Sequence, residues 1–314
     1  MPVFYFENKH YPSFLRFRDL GRELSFGHPR GVAYERDNYF FATGLNNGGG
    51  PVAARKAGPS LTQWIAETFG DSTPTESDNR PGVRFKRIVR PVTVGGLSAS
   101  VGMNDKLNAS FVALRILLRK LEELFENIEP TTSNASTYGH RIRDVLLLAC
   151  MEVESSWSAV LKENGYQTSG GRFTTNDYVK LLQPMLLDAY ELHLQSYTTY
   201  PAFTPYANWA TASPTQSLAW YDAYNKTKHD REDNLYYATL ENAISAVGAA
   251  VVMFYTQFGY HFVTGDQRLP VIRSVFRLTT QGLSRYEREF YIPLLAVKDD
   301  HIAIDDWNTS DYPF

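Results

Sequence analysis

The chain has 314 residues, 43% hydrophobic and 21% charged. That is enough for one large domain or two modest ones with a normal core, and it excludes global disorder. With 31 basic and 34 acidic side chains the formal net charge is -3, which excludes a chain-wide attraction for nucleic acid or an anionic membrane. The lone cysteine, Cys150, excludes an intramolecular disulfide and suits a reducing cytoplasm.

The chain begins MPVFYFENKHYPSF. It lacks a basic start followed by a long apolar stretch, so no secretory signal is expected. Residues 1–106 are rich in Gly, Pro, Asn and Arg. Segments 46–50 and 70–82 read as loops. Segment 32–43 is aromatic and strand-like. Segment 84–94 is also strand-like, with Pro91 favouring an edge or a strand end. Between the loops, 60–69 reads as a short helix capped by Ser60.

Helical periodicity takes over at 108–125, where Phe111, Leu114, Leu117, Leu118, Leu121, Leu124 and Phe125 repeat on one face. Pro130 ends that stretch. A second helix is expected at 138–163, stopped by Asn164-Gly165. A third opens at Asn176-Asp177 and runs to 194, with a kink or break at Pro184. Segment 197–217, with Pro201, Pro205 and Pro214, reads as a long loop. Helices are expected at 218–230 and 234–258. In the latter, Ala243, Ala246, Gly248 and Ala249 would let a neighbouring helix approach closely. Its apolar run at 244–258 is too short and too interrupted to span a bilayer. Segments 271–279 and 288–297 return to strand-like texture and are expected to pair with strands of the first zone.

The expected fold is therefore α+β and predominantly α. A helical-bundle core spans 107–265, with β-rich flanks at 1–106 and 266–314.

Two helical segments carry polar groups beyond what packing requires. In the first, His140, Arg141, Arg143 and Asp144 precede an apolar run, and Glu152 and Glu154 follow it. Two positions apart on a helix, these carboxylates diverge, so at least one meets protein and needs a partner. In the second, WYDAYNKTKHDR, positions Tyr221, Asn225, Lys228 and His229 share a face. Asp222 and Lys226 form a separate surface pair. A structural reading has Lys228 or Arg231 pairing with Glu152 or Glu154 to tie the two helices together.

The segments HRIRDVLLLACMEVES and WYDAYNKTKHDRE resemble the paired core helices of HEPN-like domains, over about residues 107–260. These are helical bundles of prokaryotic defence, toxin and RNA-processing proteins. Catalytic members carry an Arg, then a polar residue, then a His a few positions on. They act at a dimer groove on the 2′-hydroxyl and phosphate of RNA, without a metal. Here Asn225 and His229 match the polar residue and the His, while Tyr224 stands at the Arg position. The resemblance thus implies a binding or assembly protein, as in inactive members. A metal-independent ribonuclease is the alternative, with His229 as base assisted by Asn225 and Lys228. A self-assembling structural subunit is a further alternative.

Arg143, Glu152, Glu154, Tyr224 and Arg231 complete the candidate site as ligand contacts. The expected partners are a second copy of the chain, a dimer first, and RNA or a nucleotide. No membrane, metal or cofactor is expected. The seven histidines form no HExxH or tight ligand pair. Asn47 to Gly50 is not followed by Gly-Lys-Ser/Thr, which leaves a P-loop unsupported, and Gly95-Gly96 reads as a turn. The basic run Arg80, Arg84, Lys86, Arg87 and Arg90 reads as a solvated strand, or else as a phosphate contact.

Overall fold

A computed structural model describes residues 1–17, 24–45, 51–89, 105–168, 170–259, 268–281, 291–305 and 307–314. The chain divides into two compact units. One comprises Met1–Phe85, Val92–Ala99 and Ser284–Ser310, and the other Lys86–Pro91, Ser100–Leu283 and Asp311–Phe314. Elements are numbered in chain order.

The first unit opens with β1 (Val3–Glu7), β2 (Leu15–Phe17), β3 (Leu24–Phe26), β4 (Arg30–Arg36), β5 (Tyr39–Gly44) and β6 (Val52–Arg55). Helix α1 (Leu61–Phe69), β7 (Thr75–Ser77) and β8 (Val83–Phe85) follow. Strands β6-β5-β4-β1-β7 form one antiparallel sheet. The aromatic segment at 32–43 is its central hairpin, turned by Asp37 at φ 54°. Helix α1 begins as the sequence predicts, with the Ser60 hydroxyl accepting from the Gln63 N–H at 3.2 Å. It ends at Gly70, whose φ of 79° suits a residue without Cβ. Its apolar side places Leu61, Trp64, Ile65 and Phe69 with Phe6, Phe26, Phe40 and Val52 in one core. Phe6 and Phe69 stack with centroids 4.2 Å apart.

The second unit contains α2 (Asp105–Phe125), α3 (His140–Glu163), α4 (Thr175–Tyr178), α5 (Leu182–Met185) and β9 (Tyr190–Leu194). Then come α6 (Ala219–His229), α7 (Arg231–Asn234), α8 (Leu240–Phe258), α9 (Arg268–Arg273) and β10 (Phe276–Thr280). A bridge between Tyr138 and Thr239, with the Leu240 N–H on the Thr137 carbonyl at 2.8 Å, sets the starts of α3 and α8 side by side. Lys106 meets Glu163 at 2.8 Å, so α2 runs opposite to α3. Helix α8 is buried almost all round, which matches its small and apolar sequence.

The chain then returns to the first unit with β11 (Leu295–Lys298), β12 (His301–Ile304) and β13 (Asn308–Ser310). Strand β13 pairs parallel with β8, and β11 pairs with β12. The buried Tyr34 hydroxyl donates to the Pro293 carbonyl at 2.8 Å and accepts from the Leu295 N–H at 2.6 Å, which anchors this return.

The expectation of a predominantly α chain built on a helical-bundle core is corrected. Among the described residues the chain is mixed, 41% helical and 22% strand, with a large antiparallel sheet carrying its own core. A second correction lies inside the helical region. Segment 190–194, read as helix, is strand β9 and pairs antiparallel with β10. Its residues alternate, with Tyr190, Leu192 and Leu194 buried and Glu191 and His193 partly exposed. The helical stretch ends where Leu186 adopts φ 53° after Pro184. Strand β10 therefore meets a strand of the helical unit, not one of the first zone. Part of the strand-like stretch at 271–279 is helical, as the end of α9. Helix α8 starts at Leu240 rather than 234. The 46–50 loop, the Gly95-Gly96 turn, Arg90, Pro91 and residues 288–290 lie outside the described residues.

Candidate functional site

Helices α3 and α6 bring three of the eight sequence-predicted residues together, Glu154, Tyr224 and Lys228, with Tyr221 beside them. Tyr221, Tyr224 and Lys228 are spaced three and four apart, so they share one side of α6. Glu154 meets that side from α3. Its carboxylate accepts from the Tyr221 hydroxyl at 2.5 Å and from the Tyr224 hydroxyl at 3.3 Å. The Lys228 ammonium donates to the Tyr224 oxygen at 2.8 Å and lies 4.8 Å from that ring's centroid. Hydrogen-bond donation therefore runs in one direction, from Lys228 to Tyr224 to Glu154, with Tyr221 as a second donor to the carboxylate.

Tyr221 and Tyr224 are 4% and 1% exposed. Burial pushes both phenols well above their usual range, and the Glu154 charge adds to the effect. They remain neutral donors and cannot serve as bases near neutrality. Behind them the Cys150 thiol is fully buried and is likewise pushed up by burial. Trp157 stacks on Trp209 at 4.9 Å and lies 5.3 Å from Tyr221, closing the site on its inner side.

Arg143 meets α6 at its other end. Its Nε and Nη2 donate to the Thr227 carbonyl at 3.2 and 3.0 Å. That carbonyl belongs to the last turn of α6, where intrahelical partners run out, so the guanidinium caps the helix and complements its dipole. Together with the Glu154 contacts, this makes α3 and α6 antiparallel neighbours fastened at two levels.

The remaining candidates are dispersed. Asn225 turns back along its own helix and donates to the Tyr221 carbonyl at 2.9 Å. His229, the last residue of α6, is exposed and has no hydrogen-bonding partner among the described residues. Arg231 is exposed at the start of α7. Asp222 and Lys226 pair at 2.7 Å as expected. Neither Lys228 nor Arg231 pairs directly with a glutamate of α3; Lys228 reaches Glu154 through Tyr224.

Glu152 points away from this cluster, toward Arg87. Burial raises its pKa, and Arg87 opposes the shift. Arg87 itself stands 3.8 Å from Glu163 and 5.4 Å from the Phe258 ring centroid. The basic run is thus partly absorbed into structure: Arg87 is packed, Lys86 pairs with Asp311 at 2.7 Å, and Arg84 donates to the Thr309 hydroxyl at 2.9 Å. Nothing in the local sequence pattern points to Arg87 as the neighbour of Glu152, 65 residues further on. The same holds for Ser158 and Tyr178, whose hydroxyls meet at 2.8 Å.

Among the described residues no three His, Cys, Asp or Glu side chains converge, and no helix is long and apolar enough to cross a membrane. No protein-family model, curated protein or solved structure matches the chain.

Proposed function

We propose that the chain is a non-catalytic binding or assembly protein in which the polar cluster of α3 and α6 is a structural tie. The observation that carries this reading is how the polar atoms are used. Glu154, Tyr221, Tyr224 and Lys228 bond to one another, Arg143 caps α6, and Asn225 bonds within its own helix. A nuclease site requires a base and a cation converging on one phosphate. Among the described residues His229 has no orienting group, and Lys228 beside it is engaged by the Tyr224 phenol.

Charge supports the same reading. Arg141, Arg143, Lys226, Lys228 and Arg231 are matched in these segments by Asp144, Glu152, Glu154, Asp222, Asp230 and Glu232, five basic side chains against six acidic ones. A balanced surface gives little of the counterion-release affinity that RNA binding depends on. The HEPN-like resemblance is retained only for this helix pair, and with it a defence- or RNA-related setting. The lone buried thiol fits a cytoplasmic location.

The test is RNA cleavage by the purified protein and by His229→Ala, both in chelator. The expected result is no cleavage by either. Cleavage by wild type that disappears in His229→Ala overturns the proposal in favour of a metal-independent ribonuclease.

A further inference from the structure

At the C-terminal end of α2 a cleft of about 460 Å³ is lined by Arg119, Glu122, Phe125, Glu126, Tyr197 and Val275, among others. The Phe125 and Tyr197 rings meet edge to face at 5.2 Å. Glu123 lies 3.7 Å from Arg119 on the same helix. Glu122 and Glu126 have no cationic partner among the described residues, and neither does the exposed Arg115. Carboxylates beside aromatic rings form a surface complementary to a guanidinium.

The sequence of α2 supplies such a cation in matching geometry. Val112, Arg115, Arg119, Glu122 and Glu126 follow a 3-4-3-4 spacing and are all exposed, so they line one face. Glu126 continues the helical path, its N–H donating to the Glu122 carbonyl at 3.1 Å. Along this face two arginines precede two glutamates, each pair separated by one turn. When a second α2 is laid antiparallel across the face, Arg115 falls opposite Glu126 of the partner subunit, and Arg119 opposite Glu122 of the partner subunit. Both pairings share one centre of symmetry, midway between Arg119 and Glu122. A face that complements itself under a two-fold axis is the requirement for an isologous dimer.

We propose that this face of α2 binds a second copy of the chain, antiparallel, with Arg115 entering the acidic, ring-walled cleft of the partner. The proposal deepens the assembly reading above and rests on it. One helix face of this length covers about 300–400 Å² per copy, below the roughly 800 Å² of a standard interface. The dimer is therefore weak and, being held by exposed ion pairs, sensitive to salt.

The experiment is sedimentation velocity over a concentration series at low and high salt. Four chains are compared: wild type, Arg115→Glu/Arg119→Glu, Glu122→Arg/Glu126→Arg, and the chain carrying all four substitutions. Wild type is expected to dimerise, less so at high salt. Each two-site variant presents a face of one sign, and its dimer dissociation constant rises at least about tenfold. An equimolar mixture of the two variants, and the four-site chain, regain the dimer, which also shows that loss was not misfolding. A wild type that stays monomeric overturns the proposal, even if it captures a basic peptide. So does a dimer that persists in either two-site variant, or one not restored by mixing or by the four-site swap. The RNA assay is independent. A monomer without cleavage leaves the non-catalytic reading standing, whereas a charge-dependent dimer with His229-dependent cleavage removes that reading and keeps the interface.

Discussion

Glu152 and Glu154 show how one helix gives two like residues opposite circumstances. Glu154 accepts hydrogen bonds from two phenols, whereas Glu152 is mostly desolvated beside Arg87 and, among the described residues, has no hydrogen-bond partner. A carboxyl whose folded pKa is raised contributes most to stability when it is protonated. It loses that contribution as pH rises from the unfolded value near 4.5 through the folded one. Glu152→Gln is therefore expected to raise the melting temperature at pH 7, with the gain vanishing near pH 4. Melting curves at the two pH values check this. A melting temperature lowered at pH 7 would mean that the Arg87 attraction outweighs desolvation. Tyr224, 1% exposed, is an inward donor to the same Glu154.

At the scale of elements, what could be read from the sequence depended on whether the signal was local. Helix α1 and its Ser60 cap, the amphipathic α2, and α3 with its Asn164-Gly165 stop follow from spacing and capping chemistry alone. Ser60→Ala is expected to cost about 1 kcal/mol, measurable by chemical denaturation. Strand β9 departs from the helix expected through 194, because the helical path breaks after Pro184 and YELHL alternates with period two. Its pairing with β10 joins segments far apart in sequence, which no local pattern reveals. Helices α2, α3 and α6 all pack along α8, as its small residues lead one to expect, but at Gly248 the close neighbour is not a helix. A Cβ on Gly248 would lie 2.8 Å from both Leu192 of β9 and Phe203. Gly248→Val is thus expected to destabilise by about 1–3 kcal/mol through overpacking. Unchanged denaturation midpoints would show that β9 and the Phe203 loop yield freely.

At the scale of the whole molecule, composition indicated an ordinary folded chain, and the fold is mixed rather than a helical bundle. The N-terminal region, read as a flank, builds a sheet-and-helix core of its own. Spacing places Tyr221 and Lys228 on one face of α6, and a carboxylate on α3 needs a partner, so that much of the site is legible; the same spacing groups Asn225 and His229 with them, whereas Tyr224 joins the cluster and Asn225 bonds within its own helix. Which glutamate they meet was not legible, because it depends on the tertiary register of α3 against α6. The account rests on that register being held by the Glu154–tyrosine bonds. The direct measurement is a double-mutant cycle of unfolding free energy with Glu154→Gln, Tyr221→Phe and the pair together. The account predicts a coupling of about 1–2 kcal/mol, as for a hydrogen bond to a charged group. Additive effects, within about 0.3 kcal/mol, would contradict it and leave the cluster without a structural role.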